Sequence, residues 1–325
     1  MRWLRTRAGS IAIALAIACV GSVAIAQTAP PSPGYPGEDE SWRFNQHDRR
    51  VKVVLLAGSI GAFRNRPYGA LIHQWCANVE VRNLSVVGAG APQLYTRLQN
   101  DVLENPTYPR GARHLELWLL FGGGLNSVAG VTRTNFAMNR MFRLAHRRGL
   151  RVAAMTLTPW GEDGTDDERW RGGRALHSLR ATRRVVDYVM GRSTPEEALG
   201  PFAQRRPRGV APSDPWTPAE RPDVAIDLYD APALRDAEAS PWPLDDVRQR
   251  IERDPRWRTE TARLSAEARA ARLEADARFL SNAPRFFWRS TLRGFDHIHP
   301  NREGHETIAR VACPQLPPSW GCRCP

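Results

Sequence analysis

Lysine is almost missing from this chain of 325 residues, which contains 45 arginines and a single lysine, Lys52. This ratio is best explained by the base composition of the genome. An acidic binding partner is only the second explanation of the net charge of +12. Long apolar runs are missing as well, because none reaches the ~18–20 residues that a membrane-spanning helix needs. With 42% hydrophobic and 25% charged residues, the composition also excludes wholesale disorder, a collagen helix and a coiled-coil rod.

The first 26 residues have the pattern of an export signal. Three arginines stand among the first seven residues, residues 11–20 are mostly apolar, and Ala24-Ile25-Ala26 offers the small residues that a signal peptidase recognises. We therefore predict a signal peptide that is cleaved before Gln27, and a periplasmic or secreted protein. In the alternative interpretation, residues 16–19 form a lipobox, and the protein is a lipoprotein anchored through Cys19.

Cysteine is scarce, and its number fits an oxidising compartment. Removal of the leader leaves Cys76, Cys313, Cys322 and Cys324. An even number allows disulfides, and a bond between Cys322 and Cys324 would be strained because the two are so close in the chain. We expect Cys76 to be joined to the C-terminal tail, with a second bridge inside that tail. A zinc site is the weaker alternative, since a lone Cys76 and a distant Cys-x-Cys lack the paired spacing of zinc ligands.

Short apolar segments alternate with helical patterns after residue 50. Residues 51–56 are nearly all apolar, which is typical of a strand buried on both faces in a parallel sheet. Further strands are predicted at 79–84, 115–121, 151–158 and 222–229, and helices at 136–148 and 175–190. Strands that alternate with helices at these lengths indicate a doubly wound parallel sheet with right-handed crossovers.

Three stretches fall outside this alternation. Residues 27–50 are rich in proline, glycine and charge, and are predicted to be a disordered lead-in. Residues 192–221 are rich in proline and arginine and are predicted to form a long surface loop. Residues 232–289 are a second insertion, with one or two charged surface helices between 244 and 281. Residues 51–325 are then a single domain with two insertions.

Polar residues follow the predicted strands at the edge where an open parallel sheet binds its ligands. Ser59 follows the first strand, Gly88 the second and Asn126 the third, while Asp296 and His299 lie just before a C-terminal helix. A serine hydroxyl becomes a good nucleophile when a base such as His299 takes its proton, and a carboxylate such as Asp296 fixes the imidazole tautomer. The main-chain N–H groups of Ser59 and Gly88 and the Asn126 amide are suited to stabilise an oxyanion. These residue types together indicate acyl transfer.

Four blocks in this order resemble those of the SGNH, or GDSL-type, hydrolase superfamily: Ala57-Gly58-Ser59-Ile60, residues 83–88, Gly124-Leu125-Asn126 and Asp296-His297-Ile298-His299. The resemblance implies an α/β fold, a flavodoxin-like three-layer α/β/α sandwich with a parallel sheet, to which this chain adds inserted loops and helices. It also implies ester hydrolysis by Ser59, His299 and Asp296, with an oxyanion hole formed by Ser59, Gly88 and Asn126. The chain departs from the family in two places. The usual Asp before the nucleophilic serine is missing, and Ser127 stands where an Asp often follows the Asn.

His297 and His305 are rivals of His299 for the role of base, and both are expected to be structural. No histidine has a metal-binding spacing such as H-E-x-x-H, and no glycine-rich stretch has dinucleotide or P-loop spacing. We therefore expect neither a metal nor a cofactor.

Two functional hypotheses follow. The first is an exported serine esterase that acts on a small ester or an acylated polysaccharide, with O-acetyl groups preferred and a lipid ester next. The second is a binding protein of the same fold for an acidic envelope polymer, with catalysis lost or very slow, because the Asp beside Ser59 is missing and the insertions are rich in arginine. Nucleic-acid binding is disfavoured, since the positive charge is spread along the chain without a basic motif. Nothing in the sequence indicates the oligomeric state.

Overall fold

A computed structural model of the chain describes residues 42–63, 67–123, 125–128, 130–162 and 172–325. The predicted signal peptide, the alternative lipid site at Cys19 and the lead-in up to residue 41 lie outside these residues, as does Gly124. Among the described helices, none is both long enough and apolar enough to cross a membrane.

A parallel sheet forms the centre of the described residues. Its strands are β1 (Val51–Ala57), β2 (Val79–Asn83), β3 (Glu116–Gly122), β4 (Arg151–Met155) and β5 (Val224–Ile226). Their order is β2-β1-β3-β4-β5, and every pairing is parallel. This is the flavodoxin-like order, in which the direction of winding reverses between β1 and β3. The predicted doubly wound sheet is confirmed.

Strand β1 is an inner strand of this sheet, and its sequence explains why. All of its residues are buried, because β2 and β3 flank it and helices cover both faces. Ala57, its last residue, pairs with Gly122, the last residue of β3. The segments that leave β1 and β3 therefore start side by side, at the point where open α/β sheets bind ligands.

The described residues form the following α-helices: α1 (Ser59–Ala62), α2 (Tyr68–Trp75), α3 (Ala91–Arg97), α4 (Val131–Arg147), α5 (Gly172–Met190), α6 (Pro195–Leu199), α7 (Leu244–Arg253), α8 (Pro255–Thr261), α9 (Ala266–Ser281) and α10 (Arg302–Ala312). A π-helical turn, Leu98–Leu103, continues α3. Short 3₁₀ turns stand at Leu125–Val128, Gly200–Arg205, Pro218–Glu220, Ala283–Phe286, Ser290–Leu292, Cys313–Gln315 and Pro318–Trp320.

The helices pack in two layers. Helix α2 contacts α10 and β2, whereas α3 packs on α4 and α4 on α5. Right-handed crossovers place the helices on opposite faces of the sheet once the winding has reversed. The result is the predicted three-layer α/β/α arrangement. In α4 the four side chains expected to point inward are fully buried, namely Met138, Met141, Phe142 and Ala145.

The prediction of a disordered lead-in is wrong for residues 42–50. Trp42 is buried, and its indole N–H donates to Asp101 O at 2.8 Å. The N–H groups of Asn45 and Gln46 donate to the buried Glu80 carboxylate at 2.7 and 3.1 Å, and Lys52 pairs with the same carboxylate at 2.7 Å. These contacts join residues far apart in the chain, so local composition does not reveal them.

The prediction of a long surface loop at 192–221 is also wrong in part. This segment contains α6 and two 3₁₀ turns, and it buries an ion pair between Arg206 and Glu220, whose side chains are 1% and 0% exposed. Between residues 244 and 281 the structure has three helices, α7, α8 and α9, instead of one or two.

Two disulfides hold the C-terminal tail. Cys76, at the end of α2, is bonded to Cys322, and Cys313 is bonded to Cys324. The expected pattern of one bridge from Cys76 to the tail and one bridge inside the tail is therefore present. The tail also buries Trp320 against Trp118 of β3, with ring centroids 5.5 Å apart.

Candidate active site

Ser59 lies at the carboxyl end of β1, on a turn that leads directly into α1. Gly58 precedes it in an extended conformation, and a Cβ at position 58 would lie only 2.9 Å from Ala89 O. A larger residue there would push the loop after β2 away. Gly58 thus allows the loop that carries Gly88 to approach the serine turn.

Asn83, the last residue of β2, holds the turn that contains Ser59 in position. Its side-chain amide donates to Gly61 O at 2.8 Å, and its Oδ1 accepts the N–H of Ser85 at 3.0 Å. One side chain therefore ties α1 to the start of the loop after β2. Asn83 stands in a block that the sequence singles out, but nothing local reveals that it bonds to α1.

The loop that carries Asp296 and His299 is held at several main-chain atoms. Gly294 N–H donates to His299 O at 2.7 Å, and Gly161 N–H donates to His297 O at 2.8 Å. The Trp288 indole N–H donates to Ile298 O at 3.0 Å. These bonds come from residues before the loop and from the segment after β4, so they fix its backbone independently of the side chains that face Ser59.

Asn301 joins this loop to α10. Its Oδ1 accepts the N–H of Gly304 at 2.8 Å as the N-cap of the helix, and its Nδ2 donates to Thr291 O at 2.8 Å. An N-cap of this kind contributes about 1 kcal/mol to a helix. The start of α10 therefore lies at a fixed position immediately after His299.

Ser59, His299 and Asp296 form a continuous hydrogen-bonded chain. His299 Nε2 lies 2.8 Å from Ser59 Oγ, and His299 Nδ1 lies 2.8 Å from Asp296 Oδ2. With its proton on Nδ1, the ring donates to Asp296 and leaves Nε2 to accept the serine hydroxyl proton. The side chains of His299 and Asp296 are 15% and 26% exposed, so a small substrate has access to this group.

The Asp296 carboxylate is stabilised by the loop that it belongs to. Its Oδ1 accepts the N–H groups of Ile298 and His299 at 2.8 and 2.7 Å. Burial by itself would raise the pKa of Asp296, but these bonds and the bond from the His299 ring together lower it below its ordinary value. Asp296 is therefore a carboxylate at neutral pH and can stabilise a positive charge on His299.

Two phenylalanines enclose the His299 ring. Phe295 stacks on it with centroids 5.2 Å apart and planes 18° apart, and Phe63 meets it edge-on at 4.7 Å. Phe295 is nevertheless 78% exposed, so one face of this aromatic pair is open to a substrate. These neighbours do not follow from the sequence blocks, although Phe295 stands directly before Asp296.

Gly88 and Asn126 lie on the loops after β2 and β3. Gly88 has φ +80°, a left-handed conformation that favours glycine. A Cβ at position 90 would lie 3.4 Å from Asn126 O, so this loop touches the 3₁₀ turn that holds the exposed Asn126. The three loops after β1, β2 and β3 thus meet at one edge of the sheet, where Ser59, Gly88 and Asn126 all stand.

His305 occupies a different place from His299. It is 1% exposed on α10, stacks on Tyr68 at 6.3 Å, and neither ring nitrogen has a hydrogen-bond partner among the described residues. Burial, with a smaller effect of His299, lowers the pKa of His305 to about 4. It is therefore a neutral core residue at physiological pH. Within the described ranges no group of three or more His, Cys, Asp or Glu residues is arranged to hold a metal ion.

The chain was also compared with known proteins, and it is similar to the following. No family model matches the chain. A GDSL lipase of Mycobacterium tuberculosis is 29% identical over 247 residues, which cover 72% of this chain and 90% of the lipase. A lipolytic protein of the G-D-S-L family from Veillonella parvula is 13% identical with a TM-score of 0.40, over 81% of this chain and 96% of that one. A catalytic mutant of an acetylxylan esterase from Geobacillus stearothermophilus is 11% identical with a TM-score of 0.39, over 87% and 98% of the two chains.

Proposed function

We propose that this chain is an ester hydrolase of the SGNH, or GDSL-type, superfamily and that Ser59, His299 and Asp296 are its catalytic residues, a proposal that the similarity to a GDSL lipase supports. The observation that carries the assignment is the pair of 2.8 Å contacts that link Ser59 Oγ to His299 and His299 to Asp296. Such a chain supplies a nucleophile, a base and a group that orients the base.

In the first half of the reaction, Ser59 Oγ attacks the acyl carbon while its proton passes to His299 Nε2. The imidazolium that forms is stabilised by the Asp296 carboxylate, whose lowered pKa keeps it ionised. The tetrahedral intermediate collapses when His299 returns the proton to the leaving alcohol. In the second half, water attacks the acyl-serine, again with His299 as base, and the acid is released.

The oxyanion of each intermediate needs donors that are already in position. We assign this role to the main-chain N–H groups of Ser59 and Gly88 and to the side-chain amide of Asn126. Support comes from their positions at the ends of three neighbouring strands. It also comes from the contact of the loops themselves, through Gly58 with Ala89 and Gly90 with Asn126.

We further propose that the enzyme is exported and removes O-acetyl groups from a polysaccharide. The pattern of the first 26 residues and the two disulfides both fit an oxidising compartment. A lipid ester is the second substrate class, and the name of the mycobacterial relative favours it. Acetate release from acetylated polysaccharides, compared with hydrolysis of long-chain acyl esters, separates these substrates.

The catalytic assignment is tested by turnover of 4-nitrophenyl acetate. Ser59→Ala and His299→Ala should each remove nearly all activity and by similar amounts, since the members of such a group act as a unit. His297→Ala is the matched control, because it alters a histidine two positions away on the same loop and should retain activity. If His299→Ala kept near-normal turnover while His297→Ala lost it, the base would be His297 and the assignment would be wrong.

A further inference from the structure

A cavity of about 530 Å³ lies next to the turn Leu125–Val128, which holds Asn126, and its lining includes none of Ser59, His299 and Asp296. Its walls come from Val128, at the end of the turn that holds Asn126, from the start of α4, from α5 and from α8. Three arginines line it: Arg180 and Arg184 on α5 and Arg256 on α8. Cavities of this size are large enough for a small ligand or one unit of a polymer.

Positive charge exceeds negative charge along this wall. Arg180 pairs with Asp276, but Arg272 binds the same carboxylate at 3.0 Å, so two arginines share one acid. Arg184 donates to the main-chain oxygen of Glu197 at 2.6 Å. Arg256 is paired with Glu260 at 3.1 Å. The lining of the cavity thus has three arginines and one carboxylate, Glu260, and carries a net positive charge.

The cavity also offers neutral hydrogen-bonding groups. His177, Thr132 and Ser178 belong to its lining. His177 Nε2 is buried and has no hydrogen-bond partner among the described residues. Burial, together with the charge of Arg256, lowers the pKa of His177, so its ring is neutral at physiological pH. Hydroxyl and imidazole groups next to arginines suit a ligand that carries hydroxyl groups as well as an acid.

The distance between Asn126 and the cavity matches the length of about one sugar unit. Val128 lines the cavity and is only two residues beyond Asn126, a chain span of at most ~7 Å. A substrate whose acyl carbon lies at Ser59 and Asn126 would thus place its alcohol portion, or the next unit of a polymer, within reach of the arginines.

We propose that this cavity is a subsite for the carboxylate of an acidic sugar, so that the preferred substrate is an O-acylated polyuronate. The proposal rests on the proposed function, because it names the alcohol portion of the ester cleaved at Ser59. Arginine binds carboxylates through two parallel hydrogen bonds, which gives both affinity and orientation. The hydroxyl and imidazole groups would bind the ring hydroxyls of the same sugar.

The test compares three substrates: acetylated polygalacturonate oligosaccharides, acetylated xylan oligosaccharides and 4-nitrophenyl acetate. The variants are Arg184→Gln, Arg256→Gln and the double variant. Arg278→Gln is the matched control, since Arg278 is an exposed arginine that pairs with a glutamate four residues away, as Arg256 does, but it is absent from the cavity wall. Loss of one charged hydrogen-bond donor should raise KM for the polyuronate about tenfold, while turnover of 4-nitrophenyl acetate stays unchanged. Added salt should raise the KM of the wild type for the polyuronate, and this increase should be smaller in the double variant.

Each outcome separates the subsite from the catalytic assignment. If the wild type does not hydrolyse 4-nitrophenyl acetate, the proposed function itself fails. If it does, but KM for the polyuronate is unaffected in the cavity variants or rises equally in Arg278→Gln, only the subsite is overturned. If the cavity variants lose activity on vesicles of an anionic phospholipid and keep it on the polyuronate, the ligand is a lipid headgroup and the sugar assignment is wrong.

Discussion

The two oxygens of the Asp296 carboxylate act on different parts of the site. Oδ1 holds the backbone of its own loop, whereas Oδ2 receives the His299 ring. An asparagine at this position keeps an acceptor for the backbone but presents an NH₂ group where the ring needs an acceptor. The change therefore separates a structural role of Asp296 from an electronic one.

For Asp296→Asn we expect kcat to fall by a factor on the order of 10⁴, because the wrong imidazole tautomer faces Ser59. Thermal stability should change little, since the backbone bonds are kept. Steady-state kinetics on 4-nitrophenyl acetate and a melting curve of the same sample measure both effects. Activity close to that of the wild type would show that Asp296 does not set the tautomer of His299.

The residues of this site differ in how far the sequence reveals them. Ser59, Asp296 and His299 can be chosen because each stands in a short block with a fixed pattern at a strand or helix end. Phe63 cannot be predicted in this way, because its contact with His299 joins residues that lie far apart in the sequence. The same holds for the arginines of the cavity, which come from α5 and α8, two helices that lie far apart in the sequence.

Buried charge holds the segment between α5 and β5 in place. The Arg206 guanidinium donates to both oxygens of Glu220 at 3.0 and 2.8 Å, and also to the carbonyl oxygens of Ala211 and Asp214. Thr217 donates to Glu220 from its main chain and from its hydroxyl. Composition alone predicts a solvated loop here, because an arginine gives no local sign that its partner lies 14 residues away in a buried position.

Glu220→Ala should destabilise the protein by about 3–5 kcal/mol, since it leaves the Arg206 charge buried without a partner. Urea unfolding measures the loss. The control is Glu306→Ala, which removes an exposed partner of Arg310 on α10 and should cost less than about 1 kcal/mol. Equal effects of the two substitutions would mean that the Arg206–Glu220 pair does not hold the segment.

Helix α10 carries an acid-sensitive residue, His305. Its pKa is about 4 in the folded chain against an ordinary value of 6.5. Between these two pH values the unfolded chain binds a proton that the folded chain excludes. The free energy of unfolding therefore falls as the pH is lowered through this window, and the contribution is fully present only above pH 6.5.

Between pH 7.5 and pH 5, the wild type should lose about 2 kcal/mol more stability than His305→Leu, which cannot titrate at this position. Urea unfolding at the two pH values gives the difference directly. His114→Gln alters an exposed histidine and should behave like the wild type. A His305→Leu protein with unchanged acid sensitivity would contradict the assignment of His305 as a buried neutral group.

Two covalent links tie the C-terminal tail to the rest of the fold. The Cys76–Cys322 bond spans 246 residues and the Cys313–Cys324 bond spans 11. Restricting the unfolded chain stabilises a protein more when the loop is longer. The long link also joins the tail to α2, the second helix after Ser59.

Replacing Cys76 and Cys322 by serine should therefore cost roughly 5 kcal/mol of stability, and replacing Cys313 and Cys324 roughly 3 kcal/mol. Urea unfolding of the two double variants, without reductant, compares them. A larger loss for the short loop than for the long one would contradict the chain-entropy account.

Much of the architecture follows from sequence periodicity, and the exceptions have a common cause. The five strands of the sheet and the helices α4 and α5 follow from apolar runs and helical spacing. The structure of residues 42–50 and 192–221 cannot be predicted from periodicity, because single long-range contacts, such as those of Trp42 and Arg206, hold these segments in place. A pattern of many residues is visible in a sequence, whereas one long-range contact is not.

We propose that Ser59, activated by His299, is the nucleophile of this protein. The most direct measurement is the intact mass and peptide map of the folded protein after reaction with a fluorophosphonate, which modifies activated serines. We predict one adduct per chain, located on Ser59, that is absent from Ser59→Ala and forms far more slowly in His299→Ala. A folded wild-type protein that takes up no label, or an adduct that persists in Ser59→Ala, would contradict the account.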